Sequence, residues 1–234
     1  MGELVSYRLE NQIATITLDD GKRNALSVAL LGELHAALDR AATDKAIVVL
    51  TGREGVLSAG FDLSVLKTGG AAAFDMLHSG FALPAKLLAH PRPVIVACSG
   101  HAIAMGVFVL LSGDYRIGIP GPFKFAANEV AIGLSMPHVA VEVCRQRLTP
   151  AAFNRAVLLA ETFDPESAVA AGFLDRVVPA AELLDSAYRL AGELSKLDAR
   201  AHAESKLRLR KGVLEAIAIG SALDDEDYRK VTRS

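Results

Sequence analysis

The chain of 234 residues carries 25 lysines and arginines against 27 aspartates and glutamates, a formal net charge of −2, and 51% of it is hydrophobic. Near-neutrality leaves no electrostatic footprint for nucleic acid or an anionic membrane surface, and 6% aromatic residues with no tryptophan supply no base-stacking platform. A chain of this length buries roughly 70–75% of its unfolded surface, enough for one full domain with a sizeable core.

Val5–Leu9 and Ile13–Leu18 alternate apolar and polar residues on either side of Glu10-Asn11-Gln12, the pattern of a β-hairpin. Ser27 then stands where a helix N-cap is needed, with Val28, Leu31, Leu34, Leu38 and Ala42 on one face of the helix that follows. Ala46–Thr51 is a continuous β-branched run, expected to form a strand buried on both faces, and Val94–Cys98 and Tyr115–Ile119 repeat the signal. Ala71–Leu88 and Gly106–Leu111 read as helices between them, and this alternation predicts a layered α/β domain with parallel strands. From Pro137 the pattern becomes helical: Val139–Arg147, Pro150–Leu159, Pro165–Ala171 and Pro179–Leu197, broken by the short run Phe173–Val178, then Ala201 to about Ala222. The expected organisation is an α/β core over residues 1–178 and a helical region over 179–234 that serves oligomerisation and covers the active site.

Cys98 and Cys144 lie in apolar stretches and read as reduced core thiols of a cytoplasmic protein. The N-terminal MGELVSYRLE has neither a basic region nor an apolar run of the secretory kind. The longest apolar stretch, Ala102–Ser112, is too short to span a bilayer. Phosphate-loop, dinucleotide-binding, zinc-protease and nucleophile-elbow motifs are all missing, and the six histidines are scattered, so metal-free chemistry is expected.

Two glycine-containing breaks remain. Leu57-Ser58-Ala59-Gly60-Phe61-Asp62-Leu63 runs from a strand end through a small-residue turn into a helix start, with Asp62 as its N-cap. Ser99-Gly100-His101-Ala102-Ile103-Ala104-Met105-Gly106 leaves a buried strand and enters an apolar helix. Each break can leave backbone N–H groups unpaired at a helix start. Two such donors converging on one oxygen make an oxyanion hole, whereas either alone is an ordinary tight β–α turn.

In this order the two breaks resemble those of the crotonase superfamily, the enoyl-CoA hydratase/isomerase proteins. The likeness extends through Lys22-Arg23-Asn24-Ala25-Leu26, Ser58-Ala59-Gly60-Phe61-Asp62-Leu63, Pro93–Ala97 with Gly100-His101-Ala102, Ser112–Ile117 and Ala170–Val178. The resemblance implies a spiral of ββα units, an acyl-CoA thioester ligand with no other cofactor, and a homotrimer or dimer of trimers. It also implies a thioester enolate held by two backbone N–H groups, which fall on Phe61 and Met105. The usual three glycines are reduced here to Ala104-Met105-Gly106, and the Met105 side chain is expected to narrow the acyl pocket. Substrate contacts expected at these motifs are Ala25, Ala59, Gly60, Asp62, Leu63, Ala104, Gly106 and Asn128; beside them Arg23 or Lys22 reads as a cation for CoA phosphates or as part of a solvated turn, Leu66 as acyl wall or core, and His138 as pocket lining or as a capping or surface histidine. Lys206 is either a plain surface lysine or a contact to a CoA phosphate. Asp62 and Asp114 also read as structural.

A hydratase of the superfamily uses two carboxylates. The first falls on Phe108, which cannot transfer a proton, and the second on Glu129. A glutamate among apolar residues acquires a raised pKa, suited to proton transfer near neutrality. One base over an enolate is the logic of the Δ3,Δ2-enoyl-CoA isomerases, which similarly pair Asn with Glu here and carry an apolar residue in place of the other carboxylate. Isomerisation with Glu129 as sole acid/base is therefore the expectation. Hydration within the same family and non-catalytic acyl-CoA binding are the alternatives.

Overall fold

The structure, a computed structural model, describes residues 3–231; the first two residues of the N-terminal segment and the last three of the C-terminal region lie outside it. β1 (Val5–Glu10) and β2 (Ile13–Leu18) form the predicted antiparallel hairpin. Its turn is Asn11-Gln12, both at positive φ (49° and 61°), which matches the twist of the flanking strands. Ser27 caps α1 (Val28–Thr43) by accepting the Leu30 N–H at 3.2 Å. The buried face is Leu30, Leu31, Leu34, Ala37, Leu38 and Ala41, and Val28 is 46% exposed. At 100° per residue the buried stripe centres between Leu34 and Ala41, and Val28 points about 125° away from it.

From β3 (Ile47–Gly52) onward, successive strands alternate between two sheets. β3, β5 (Val94–Ala97), β7 (Tyr115–Gly118) and β9 (Arg176–Val177) extend the first sheet in the order β1-β2-β3-β5-β7-β9, while β4 (Gly55–Ser58), β6 (Gly100–Ile103) and β8 (Phe125–Ala126) make the second. Every pairing after the hairpin is parallel. The chain thus adds one strand to each sheet before a helix carries it to the next winding, which is the ββα spiral that the resemblance implies. The central strands of the first sheet are covered on both faces. Val48, Leu50, Val94 and Val96 enter the main core, whereas Ile47, Val49, Ile95, Ala97 and Ile117 meet Leu183, Ala187 and Ala191 of α8 (Leu183–Leu194). Double coverage explains why these runs read as continuously apolar. Cys98 and Cys144 are buried free thiols.

Of the second sheet only the end of β4, at Leu57-Ser58, has a counterpart among the strands expected from sequence. Its strands hold two to four residues, and two of them begin with glycine, so they read as turns.

The remaining windings carry α2 (Leu63–Thr68), α3 (Gly70–Ala89) and α4 (Met105–Leu111). α5 (His138–Arg145), α6 (Pro150–Leu159) and α7 (Pro165–Ala171) follow, and α9 (Ala199–Val231) closes the fold. The limits of α6 and α7 match the sequence reading because Thr149 and Asp164 cap them and proline occupies the first helical position of each. α9 has 33 residues, a rod of about 50 Å. Near its start it locks onto the core through Asp114, whose carboxylate accepts from Lys206 Nζ at 2.7 Å, Arg210 Nη2 at 2.8 Å and the Val94 N–H at 2.7 Å. Lys206 is only 5% exposed, and burial pushes its ammonium down to about 8 against the pull of Asp114. Both sequence readings of Lys206 are corrected: it is neither a surface lysine nor free to meet a phosphate. Towards its other end α9 supplies Asp224, which accepts the first two N–H groups of α5, from His138 at 2.7 Å and Val139 at 3.0 Å. Among the described residues no helix is long and apolar enough to cross a membrane.

Candidate active site

Three parallel strands of the second sheet end on one edge, where ligands bind in sheets of this kind. β4 leads to Phe61, β6 to Met105 and β8 to Glu129. The register places Ser58 beside Ala102 and Ile103 beside Ala126, so the three loops leave the sheet side by side.

The first turn is held by the segment that precedes α1. Phe61 forms a parallel bridge with Leu26. Leu26 donates to the Gly60 carbonyl at 2.8 Å and accepts from the Asp62 N–H at 3.4 Å. In a parallel bridge these flanking bonds use up Leu26, and the Phe61 N–H points the other way. Asn24, fully buried at φ +51°, fixes the arrangement: its Nδ2 donates to the Leu18 and Leu57 carbonyls at 2.8 and 3.0 Å. Ser58 Oγ donates to the Asn24 carbonyl at 2.7 Å and accepts the Gly60 N–H at 3.1 Å. Asp20 gathers the N–H groups of Lys22, Asn24 and Ala25. Burial pushes the Asp20 carboxyl up, but these donors outweigh it and hold it below its ordinary range. Sequence reasoning gave Asn24 and Ser58 no role at the site. Both stood inside the quoted motifs, and a buried polar side chain joining two loops was the signal to seek.

The two turns touch. A Cβ added to Gly60, which lies at φ +91°, would stand 2.8 Å from the Ala104 Cβ and 3.4 Å from the Met105 nitrogen. One added to Gly106 would stand 2.4 Å from the Ser58 carbonyl oxygen. Of the three positions where the family has glycine, the contact with Ser58 makes the last indispensable. Met105 follows the non-helical residue Ala104, and its N–H precedes every intrahelical acceptor of α4. Among the described residues no hydrogen bond engages the N–H of Phe61 or of Met105. The Met105 side chain is fully buried in the core rather than set on an open pocket wall, which corrects the expected narrowing.

Ala104 adopts φ 50° and ψ −127°, a region that costs a residue with a Cβ about 1–3 kcal/mol. Ala104→Gly is therefore expected to stabilise the protein by about 1 kcal/mol after the added flexibility of the unfolded chain is subtracted. Chemical denaturation measures the change, and equal or lower stability contradicts it.

Glu129 is 7% exposed and its Oε2 has no hydrogen-bond partner. Burial pushes its pKa up to about 7. The neighbouring Asn128 is half-buried with its Oδ1 likewise unpartnered, so two acceptors of adjacent residues stand unused. Phe108 is 1% exposed and packs into the core, leaving the other carboxylate position occupied by a phenyl ring.

The other predicted contacts divide. Ala59 and Ala25 are half-buried beside the first turn, and the Arg23 carbonyl accepts the Ala59 N–H at 3.0 Å while its side chain is exposed. Asp62 caps α2 as expected, and its hydrogen bonds from Ser64 hold its carboxyl below the ordinary range. Leu63 is 56% exposed, and Leu66 packs partly against the core. His138 is exposed, its backbone N–H is bound by Asp224, and its Nε2 lies 3.5 Å from Asp227.

The family model described as enoyl-CoA hydratase/isomerase matches residues 8–232. The carnitinyl-CoA dehydratase of Citrobacter koseri is 29% identical over 197 residues, 83% of this chain and 75% of that protein. An enoyl-CoA hydratase/isomerase family protein from Pseudomonas syringae superposes with a TM-score of 0.93 at 48% identity, covering 95% of this chain and 97% of that one. A Mycobacterium tuberculosis enoyl-CoA isomerase superposes with a TM-score of 0.90 at 44% identity, with the same 95% and 97% coverage. Another structure of that mycobacterial protein, described as a probable enoyl-CoA hydratase, gives 0.95 at 42% identity over 99% of this chain and 98% of its own.

Proposed function

Because the chain belongs to the enoyl-CoA hydratase/isomerase family, we propose that it converts 3-enoyl-CoA thioesters to 2-enoyl-CoA thioesters. The observation that carries this reading is Glu129, the one buried carboxylate among the described residues, together with the buried phenyl ring of Phe108 at the position where the family's hydratases carry their other carboxylate. In the proposed reaction the thioester oxygen lies between the N–H groups of Phe61 and Met105. Glu129 takes a proton from C2, and the electron pair delocalises over the thioester and the C3–C4 double bond. The developing oxyanion is stabilised by the two fixed donors. Glu129 then returns the proton to C4, and the double bond rests between C2 and C3. Burial that raises the Glu129 pKa to about 7 matches a group that both accepts and releases a proton near neutrality. Coenzyme A enters as part of the substrate, and the scheme uses no other cofactor. The exposed Arg23 beside the first turn supplies a cation for the coenzyme's phosphates.

The likeness to a carnitinyl-CoA dehydratase keeps addition and elimination of water as the second reading. Turnover of a panel of 2-enoyl- and 3-enoyl-CoA thioesters of varied length separates the two. Conversion of the 3-enoyl compounds is expected, with no loss of the enoyl-thioester absorbance of crotonyl-CoA. Hydration of crotonyl-CoA without isomerisation assigns a hydratase, and binding with no turnover of either class assigns a non-catalytic acyl-CoA binder.

A further inference from the structure

A cleft with two arginines in its lining opens near the far end of α4 from Met105. α4 has seven residues and rises about 10 Å. The cleft, with a cavity volume of about 250 Å³, lies between the end of α5 and the middle of α9 and is lined by Gln146, Arg147, Leu209, Arg210, Gly212 and Val213. No carboxylate is among these residues.

Charge around the cleft is unbalanced. Four cations, Arg116, Arg147, Lys206 and Arg210, share two carboxylates, Asp114 and Asp175. Arg116 takes Asp175 in a bidentate pair, with Nε and Nη2 at 2.9 and 2.8 Å. Asp114 is shared by Lys206 and Arg210. Arg147 is left without a carboxylate: its Nη2 donates to the Gly113 and Asp114 carbonyls at 2.8 and 3.1 Å, and its buried Nε has no partner. Arg210, which also lines the cleft, is 5% exposed, and its Nη1 and Nη2 are engaged by the Leu88 carbonyl at 3.0 Å and by Asp114 at 2.8 Å. Burial and the charges of Arg116 and Arg210 weaken the hold of Arg147 on its proton, and an anion at its guanidinium group offsets that repulsion.

We infer that the cleft binds a small oxyanion, a phosphate or carboxylate group, at the guanidinium group of Arg147, with the positive charge of Arg210 beside it. Guanidinium forks match both groups in geometry. The exposed Leu209 (84%) stands at the mouth. Such an anion supplies the missing negative charge and bridges α5 to α9.

Gly212 gives the test its control. It lies within α9, it lines the cleft, and a Cβ there meets no atom within 4 Å. Gly212→Asp therefore accommodates its side chain and offers the cleft a tethered carboxylate in place of a free anion. Thermal melting of the whole protein is compared in chloride and in inorganic phosphate at equal ionic strength. Phosphate in several-fold excess over its dissociation constant is expected to raise the Tm of the unmodified protein by roughly 3 °C. Gly212→Asp is expected to melt higher in chloride and to lose the phosphate response. The inference is overturned if phosphate gives no shift beyond chloride, or if Gly212→Asp keeps the full shift. It is likewise overturned if Tm ignores phosphate and instead rises with protein concentration, which assigns the cleft to an acidic side chain of a second copy.

Discussion

Glu129→Gln is expected to lower kcat for isomerisation of a 3-enoyl-CoA by about 10²–10⁴-fold, the usual contribution of a positioned acid/base, while leaving binding of the thioester largely intact. The amide keeps the shape of the carboxyl group but cannot accept the C2 proton. Retained turnover would remove Glu129 from the mechanism. The same residue sets the pH dependence. A base must be ionised to act, so kcat/KM is expected to rise with pH up to about 7 and then level off. Stability runs in the opposite direction. The native carboxyl titrates near 7 and the unfolded one near 4.5. Between those values the native state holds a proton that the unfolded chain has released. Stability from this group therefore falls as pH rises through that window and stays low above it, a loss of about 3 kcal/mol. Glu129→Gln removes the loss, so the variant is expected to be inactive yet more stable at pH 8 than the parent. Urea unfolding at pH 5 and pH 8 measures this; a gain equal at both pH values contradicts it.

The second large effect lies at Asp114. Asp114→Ala is expected to destabilise the protein by about 3–5 kcal/mol, the usual result of removing one partner from a buried ion pair. Lys206 and Arg210, both about 5% exposed, then share no carboxylate, and the Val94 N–H at the start of β5 loses its acceptor. In a domain of this size the melting temperature falls by roughly 10 °C. A loss below about 1 kcal/mol contradicts the role assigned to the cluster.

Legibility in the sequence followed the range of the interactions. β3 and α6 were readable because their signals are local: a β-branched run, a capping threonine, a proline at the first helical position. β6 and β8 were not, and β4 showed only its end, because strands of two to four residues owe their form to parallel neighbours far away in sequence. Phe61, Met105 and Glu129 were found only through the order of motifs; nothing in their own periodicity marks them. Lys206 was misread for a similar reason. Its immediate neighbours, Ser205 and Leu207, give no sign of burial, and its partner Asp114 stands 92 residues earlier. The contact that anchors His138 was equally hidden, because the Asp224 that binds its backbone belongs to α9, 86 residues later.

The two proposed oxyanion donors are peptide N–H groups, and this has a consequence for genetics. Changing Phe61 or Met105 to any other residue except proline leaves an amide in place, so a conventional alanine scan registers only their packing. The replacement of glycine by Ala104 and Met105 shows how freely side chains can vary around such a frame. Half of the proposed chemistry is therefore invisible to mutational scanning, and exposing it requires alteration of the backbone itself, by proline or by an amide-to-ester exchange.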